Sequence, residues 1–60
     1  MLYTSQKQVR AAFWEQWEGP RRAGGQNEQT TDCRVAWCDF VESLHRNGDI
    51  SDKLAERVTL

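Results

Sequence analysis

One stretch constrains this chain more than any other: Thr31-Asp32-Cys33-Arg34-Val35-Ala36-Trp37-Cys38-Asp39-Phe40-Val41-Glu42-Ser43-Leu44-His45-Arg46-Asn47-Gly48. Its apolar residues Cys33, Trp37, Phe40, Val41 and Leu44 recur at the period of one face of an α-helix. Asp39, Glu42 and Arg46 fall on the opposite face. Thr31 is the expected N-cap, and Asp32 lies in the first turn, where a carboxylate suits the positive end of the helix. His45 and Arg46 suit the negative end, and Gly48 closes the helix. Asn47-Gly48 would mark a hairpin if strands flanked it, but the flanks have a helical period. Everything else in the chain is short or loop-like, so this helix is expected to form the main wall of the core.

Two further helices complete the pattern. Ser5 followed by Gln8 has the spacing of a capping box, with Thr4 as the competing cap. From there Val9, Ala12, Phe13 and Trp17 form an apolar stripe over residues 6–18, with Gln16 at its edge. Gly19 is expected to take the left-handed position after the helix, and Pro20 prevents continuation. Arg21 through Thr30 has no periodicity and contains Gly24-Gly25, so it reads as a long loop carrying two adjacent arginines. Ser51 caps a third helix over residues 51–58, with Leu54, Ala55 and Val58 inward and Ile50 as a staple residue. The expected fold is therefore all-α: a small three-helix bundle with helices at about 6–18, 32–47 and 51–58, a single domain over residues 1–60. Its core would comprise Val9, Phe13, Trp17, Trp37, Phe40, Val41, Leu44, Leu54 and Val58.

Size and charge narrow the function classes. A chain of 60 residues buries only about 60 % of its unfolded surface, so partner binding or homodimerisation is an expectation. No apolar run approaches the ~20 residues of a membrane span, and the N-terminus lacks the charged-then-apolar pattern of a secretory signal. A cytoplasmic protein without membrane contact is expected. The net charge of −1 is unevenly spread. Residues 1–25 carry Lys7, Arg10, Arg21 and Arg22 against Glu15 and Glu18, whereas acidic residues predominate in residues 26–60. Neither part has the strongly basic footprint of a nucleic-acid binder.

Motifs with a chemical reading fail on their spacing. Asn47-Gly48-Asp49-Ile50-Ser51 echoes the middle of a calcium loop. Aligning Gly48 with that loop's central glycine puts Ser43, His45 and Leu54 where carboxylates are needed. A helix-turn-helix reader would use residues 51–60, where Lys53 and Arg57 are balanced by Asp52 and Glu56, leaving no cationic face for phosphates. Cys33 and Cys38 lie about 140° apart on one helix, which a disulfide cannot span. Reduced thiols are expected, Cys33 in the core and Cys38 at its boundary. Cys38 and His45 stand roughly 10 Å apart along the helix, too far to share a zinc ion, and there is no second Cys/His pair. His45 reads as a helix-end residue. No paired-carboxylate site, phosphate loop or nucleophile–base set can be assembled, so neither an enzyme nor a cofactor is expected.

Trp14 lies about 100° round its helix from Phe13, at the edge of the stripe. It covers the core margin, packs under the Arg21–Thr30 loop, or serves as an aromatic anchor for a partner, with Arg10, Arg21 and Arg22 nearby. Trp and Arg are the residue types enriched at binding hot spots. Base stacking on Trp14 is a further reading, which the overall charge opposes.

Gln8-Val9-Arg10-Ala11-Ala12-Phe13-Trp14-Glu15, Asp32-Cys33-Arg34-Val35-Ala36-Trp37, Gly48-Asp49-Ile50-Ser51 and Ala55-Glu56-Arg57-Val58-Thr59-Leu60 together resemble a kind of small protein encoded in tailed-phage genomes. The resemblance implies a phage or prophage origin. Small phage proteins are often binders that modulate or inhibit host machinery, antagonists of CRISPR defence among them. The expected function is a non-enzymatic protein-binding module for a host or phage protein; the contact residues come from the residue types and helical faces, not from the resemblance, and are Trp14, Arg21, Arg22, Asp39, Glu42 and Arg46. The alternatives are a nucleic-acid-binding regulator using Arg10, Arg21, Arg22 and Trp14, or a homo-oligomeric structural component.

Overall fold

The structure, a computed structural model, describes residues 2–60. Its helices follow from local capping chemistry. In α1 (Gln6–Gln16), Ser5 Oγ accepts the Gln8 N–H, and Gln8 Oε1 accepts the N–H groups of Ser5 and Thr4. These contacts satisfy donors that a helix start would otherwise leave without partners. α2 (Thr31–Arg46) begins one residue earlier than expected, because Thr30 rather than Thr31 is its N-cap; Thr30 Oγ1 accepts the Cys33 N–H at 3.2 Å. α3 (Asp52–Arg57) starts at Ser51, whose Oγ accepts the Leu54 N–H. Among the described residues there is no strand.

The expected stop of α2 is the observed one. Gly48 adopts φ +77°, its N–H bonds to the His45 carbonyl, and the Asp49 N–H bonds to the Leu44 carbonyl. That pair of bonds is a Schellman motif, which turns the chain sharply and satisfies the last carbonyls. The reversal carries Ile50 inward, so it is a core residue, 2 % exposed, and more than a staple. The Tyr3 N–H donates to the Asp49 carbonyl, clipping the N-terminal arm to the same turn. Across the turn His45 Nε2 and Asp52 Oδ1 share a hydrogen bond, joining the end of α2 to the start of α3.

The first connection departs from expectation. α1 ends at Gln16, two residues short of Glu18, because Trp17 leaves helical geometry at ψ 123°. Its ring then stacks on Phe13, and its indole N–H donates to the Pro20 carbonyl at 3.1 Å. Gly19 is not left-handed; the positive φ values belong to Gly24 and Gly48. What Gly19 supplies is room, since a Cβ there would sit 2.5 Å from the Trp17 ring. The expected long loop is itself organised: a 3₁₀ turn spans Gln26–Glu28, and buried Gln29 bonds across to Arg22.

The buried core consists of Val9, Phe13, Cys33, Trp37, Leu44, Ile50 and Leu54 among the described residues. Trp17, Phe40, Val41 and Val58, expected inside, are only partly buried and pack around that set. Phe13 is the centre: Trp14 and Trp37 stand at 5.2 Å, Phe40 at 5.6 Å and Trp17 at 5.7 Å between ring centroids. All but Trp17 meet it edge to face, the arrangement that ring quadrupoles favour.

Candidate functional site

The outward face of α1 carries Lys7, Arg10, Ala11 and Trp14, at the spacing that aligns side chains along a helix. Trp14 is half-buried. One part of its ring meets Phe13 at an interplanar angle of 67°, and the Arg21 guanidinium carbon lies 4.2 Å from its centroid. That distance is well inside the range for a cation–π contact. Arg21 reaches this position because the chain turns back at Trp17–Pro20, and because Gln29 holds the next residue, Arg22, by both its backbone N–H and its carbonyl.

Lys7, Arg10, Ala11, Trp14, Arg21, Gly24 and Leu60 line a groove of about 400 Å³. Arg10 is fixed at its wall: Nη1 donates to Gln6 Oε1 and to the Thr59 carbonyl. The groove is lined by three cationic side chains and no acidic one. None of the three forms an ion pair among the described residues. Chemically, the groove offers several N–H donors around a floor partly apolar through Ala11, Trp14 and Leu60.

The residues expected to contact a partner line different recesses: Trp14 and Arg21 share the groove, whereas Asp39 and Glu42, exposed on α2 with Arg46, line others. Trp14 and Arg21 are brought together, and Arg22 follows directly with an exposed side chain. Asp39 lines a different recess, with Thr31, Arg34, Val35, Cys38 and Gln26. Glu42 lines a third, between α2 and α3, with Trp37, Val41 and Val58. The Arg46 side chain donates to Ser43 Oγ. Lys7 was not among the expected residues, although its helical register with Arg10 and Trp14 is readable in the sequence. Gln29, which positions the loop, has no hydropathic signature at all.

The thiols and the histidine are placed as follows. Cys33 is fully buried, and burial pushes its thiol above the ordinary range. Cys38 is exposed, and both cysteines are unpaired. Cys38 and His45 share the recess between α2 and α3, but the imidazole partner is Asp52. Among the described residues no group of three or more His, Cys, Asp or Glu side chains is placed to hold a metal ion, and no helix is long and apolar enough to cross a membrane.

No protein-family model, no curated protein and no solved structure matches this chain.

Proposed function

We propose that the chain is a small, non-enzymatic protein-binding module whose contact surface is centred on Arg21 riding on Trp14. The observation that carries this reading is the groove of Lys7, Arg10, Trp14 and Arg21, whose cations have no carboxylate partner among the described residues. Such charges add little to stability, whereas Trp and Arg are the side chains from which binding hot spots are built. The setting we propose, a phage protein acting on host machinery such as CRISPR defence, rests on the resemblance described above.

The test is affinity capture from bacterial lysate with the native chain, Trp14→Ala and Arg21→Ala, each checked for helicity by circular dichroism. The reading expects a discrete captured protein that both substitutions lose while helicity is retained. Capture unchanged by both substitutions would refute it. So would a large loss of helicity in Trp14→Ala, accompanied by no effect of Arg21→Ala on capture, since Trp14 would then be only a prop for the core.

A second reading is a nucleic-acid-binding regulator, supported by the presence of Arg10, Arg21 and Trp14 in one groove. A salt-dependent shift of mixed DNA or RNA would favour it, and no binding at low salt would remove it.

A further inference from the structure

Building on the protein-binding reading, we infer that the Lys7–Arg10–Arg21 groove is a carboxylate-binding site that takes an acidic segment, rich in Glu or Asp, of the partner protein. Arg21 is the central element. Its guanidinium carbon lies over the Trp14 ring, 4.2 Å from the centroid, and a cation–π contact leaves the N–H fork of the guanidinium available. That fork matches a carboxylate in bidentate geometry. The Trp14 ring thus pre-orients the donor, which lowers the ordering cost of binding. Arg10 is likewise held in place, through Nη1, by Gln6 and the Thr59 carbonyl. Lys7 adds a third charge on the same wall. Three like charges around one recess repel one another, and a carboxylate between them removes that repulsion.

The remaining features select the occupant. A recess of about 400 Å³ suits one or two side chains more than an extended surface. Ala11, Trp14 and Leu60 offer apolar area for the methylene stem of a glutamate, while the cations take its head. A nucleic acid fits less well. The face of Trp14 on which a base would stack is occupied by Arg21. Beyond the groove, residues 26–60 carry Arg34, Arg46, Lys53 and Arg57 against Glu28, Asp32, Asp39, Glu42, Asp49, Asp52 and Glu56. That acidic excess repels a long polyanion, whereas a short acidic segment touches the groove alone.

The test is a titration of the intact, isotopically labelled chain followed by NMR. The probes are a blocked hexaglutamate peptide, a blocked hexaglutamine peptide and an oligothymidylate of the same length. The hexaglutamate should shift the Trp14 indole N–H and the Gly24 amide, and its affinity should fall as salt rises. Arg21→Gln should weaken it about tenfold, the effect of losing a charge-assisted hydrogen-bond pair. Arg21→Lys, which keeps the charge and loses the fork, should restore only part. Arg34→Gln, on α2, should leave it unchanged. Equal binding of hexaglutamine, no response at the groove, or indifference to the double substitution of Lys7→Gln with Arg21→Gln would overturn the inference. Tighter binding of the oligothymidylate would assign the groove to nucleic acid instead. Concentration-dependent self-association abolished by Arg21→Gln would assign it to a second copy of the chain. Lysate capture separates this inference from the module reading. Capture that requires Trp14 without any hexaglutamate binding keeps the module and removes the acidic chemistry, and the converse removes the module alone.

Discussion

Replacing Gln29 should loosen the loop that places Arg21, and the size of the effect can be worked from its contacts. The side chain is 5 % exposed. Its Oε1 accepts the Arg22 N–H at 3.0 Å, while Nε2 donates to the Arg22 carbonyl at 2.8 Å and, more weakly, to the Gly25 carbonyl at 3.5 Å. The primary amide therefore pairs with Arg22 as a neighbouring strand would. Gln29→Ala removes two well-made bonds. Arg22 is an exposed residue, so water can reach the freed groups, and each bond is worth its net value of about 0.5–1.5 kcal/mol. The expected loss is about 1–3 kcal/mol, a fall in Tm of roughly 5–20 °C for a domain this small. Gln29→Glu is the sharper probe. It keeps an acceptor for the Arg22 N–H but sets a carboxylate oxygen against the Arg22 carbonyl. The introduced carboxyl, disfavoured as an anion, has its folded-state pKa raised above its unfolded value. Its protonated form can donate to that carbonyl, so stability relative to the native chain is greatest in acid and falls as pH rises through the raised pKa. Thermal unfolding of the three chains at pH 7 and in mild acid measures both effects. A Gln29→Ala Tm within two or so degrees of the native chain, or a Gln29→Glu variant relatively more stable at neutral pH, would refute the pinning argument.

Three other expectations follow from single contacts. Thr30→Ala should cost about 1 kcal/mol of stability in denaturant unfolding, and Thr31→Ala close to nothing, because Thr30 holds the Cys33 N–H. Gly19→Ala and Gly48→Ala should both destabilise, for different reasons. At Gly19 the methyl group collides with the Trp17 ring, costing about 1–3 kcal/mol. At Gly48 there is open space and the penalty is the left-handed φ alone, so Gly48→Asn should recover much of the loss. A thiol reagent should label Cys38 in the folded chain at once and Cys33 only on unfolding. Because burial raises the Cys33 pKa, its contribution to stability is complete below the ordinary thiol range, about pH 8.5, and is lost as pH rises through the raised value. Denaturant midpoints of the native chain and Cys33→Ala across that range check the sign.

The parts of the fold legible in the sequence are those decided within one helical turn. Ser5 with Gln8, Ser51, and Gly48 after His45-Arg46 are local capping chemistry, and the structure uses all of them. The stripe from Cys33 to Leu44 needed only a helical period. What was not legible depended on contacts distant in sequence. Trp17 could have extended α1 by its propensity; it leaves the helix because stacking on Phe13 and bonding to the Pro20 carbonyl compete with one more turn. Two consecutive threonines are equally able to cap α2, and the choice falls to Thr30 at the end of a loop whose path Gln29 helps to set. The site divides in the same way. Lys7, Arg10 and Trp14 share a face of α1 by periodicity, but nothing in Arg21-Arg22-Ala23 predicts which arginine returns to Trp14.

That dependence bears on what the loop is for. A domain of this size has little stability in reserve, yet its first connection buries a polar amide and brings Arg21 back against α1. A shorter link could join antiparallel helices. The cation–π contact is worth only about 0.5–1 kcal/mol at such a site, which does not offset the conformational entropy of ordering so many loop residues. Gln29, Gly24, the 3₁₀ turn and the Thr59–Gln26 hydrogen bond together hold a segment whose main product is an oriented guanidinium beside Lys7 and Arg10. A cation–π contact too weak to account for the ordering, on a charge that forms no ion pair among the described residues, fits the carboxylate ligand inferred for the groove. If so, loosening the loop through Gln29→Ala should weaken hexaglutamate binding even under conditions where the helices remain fully formed.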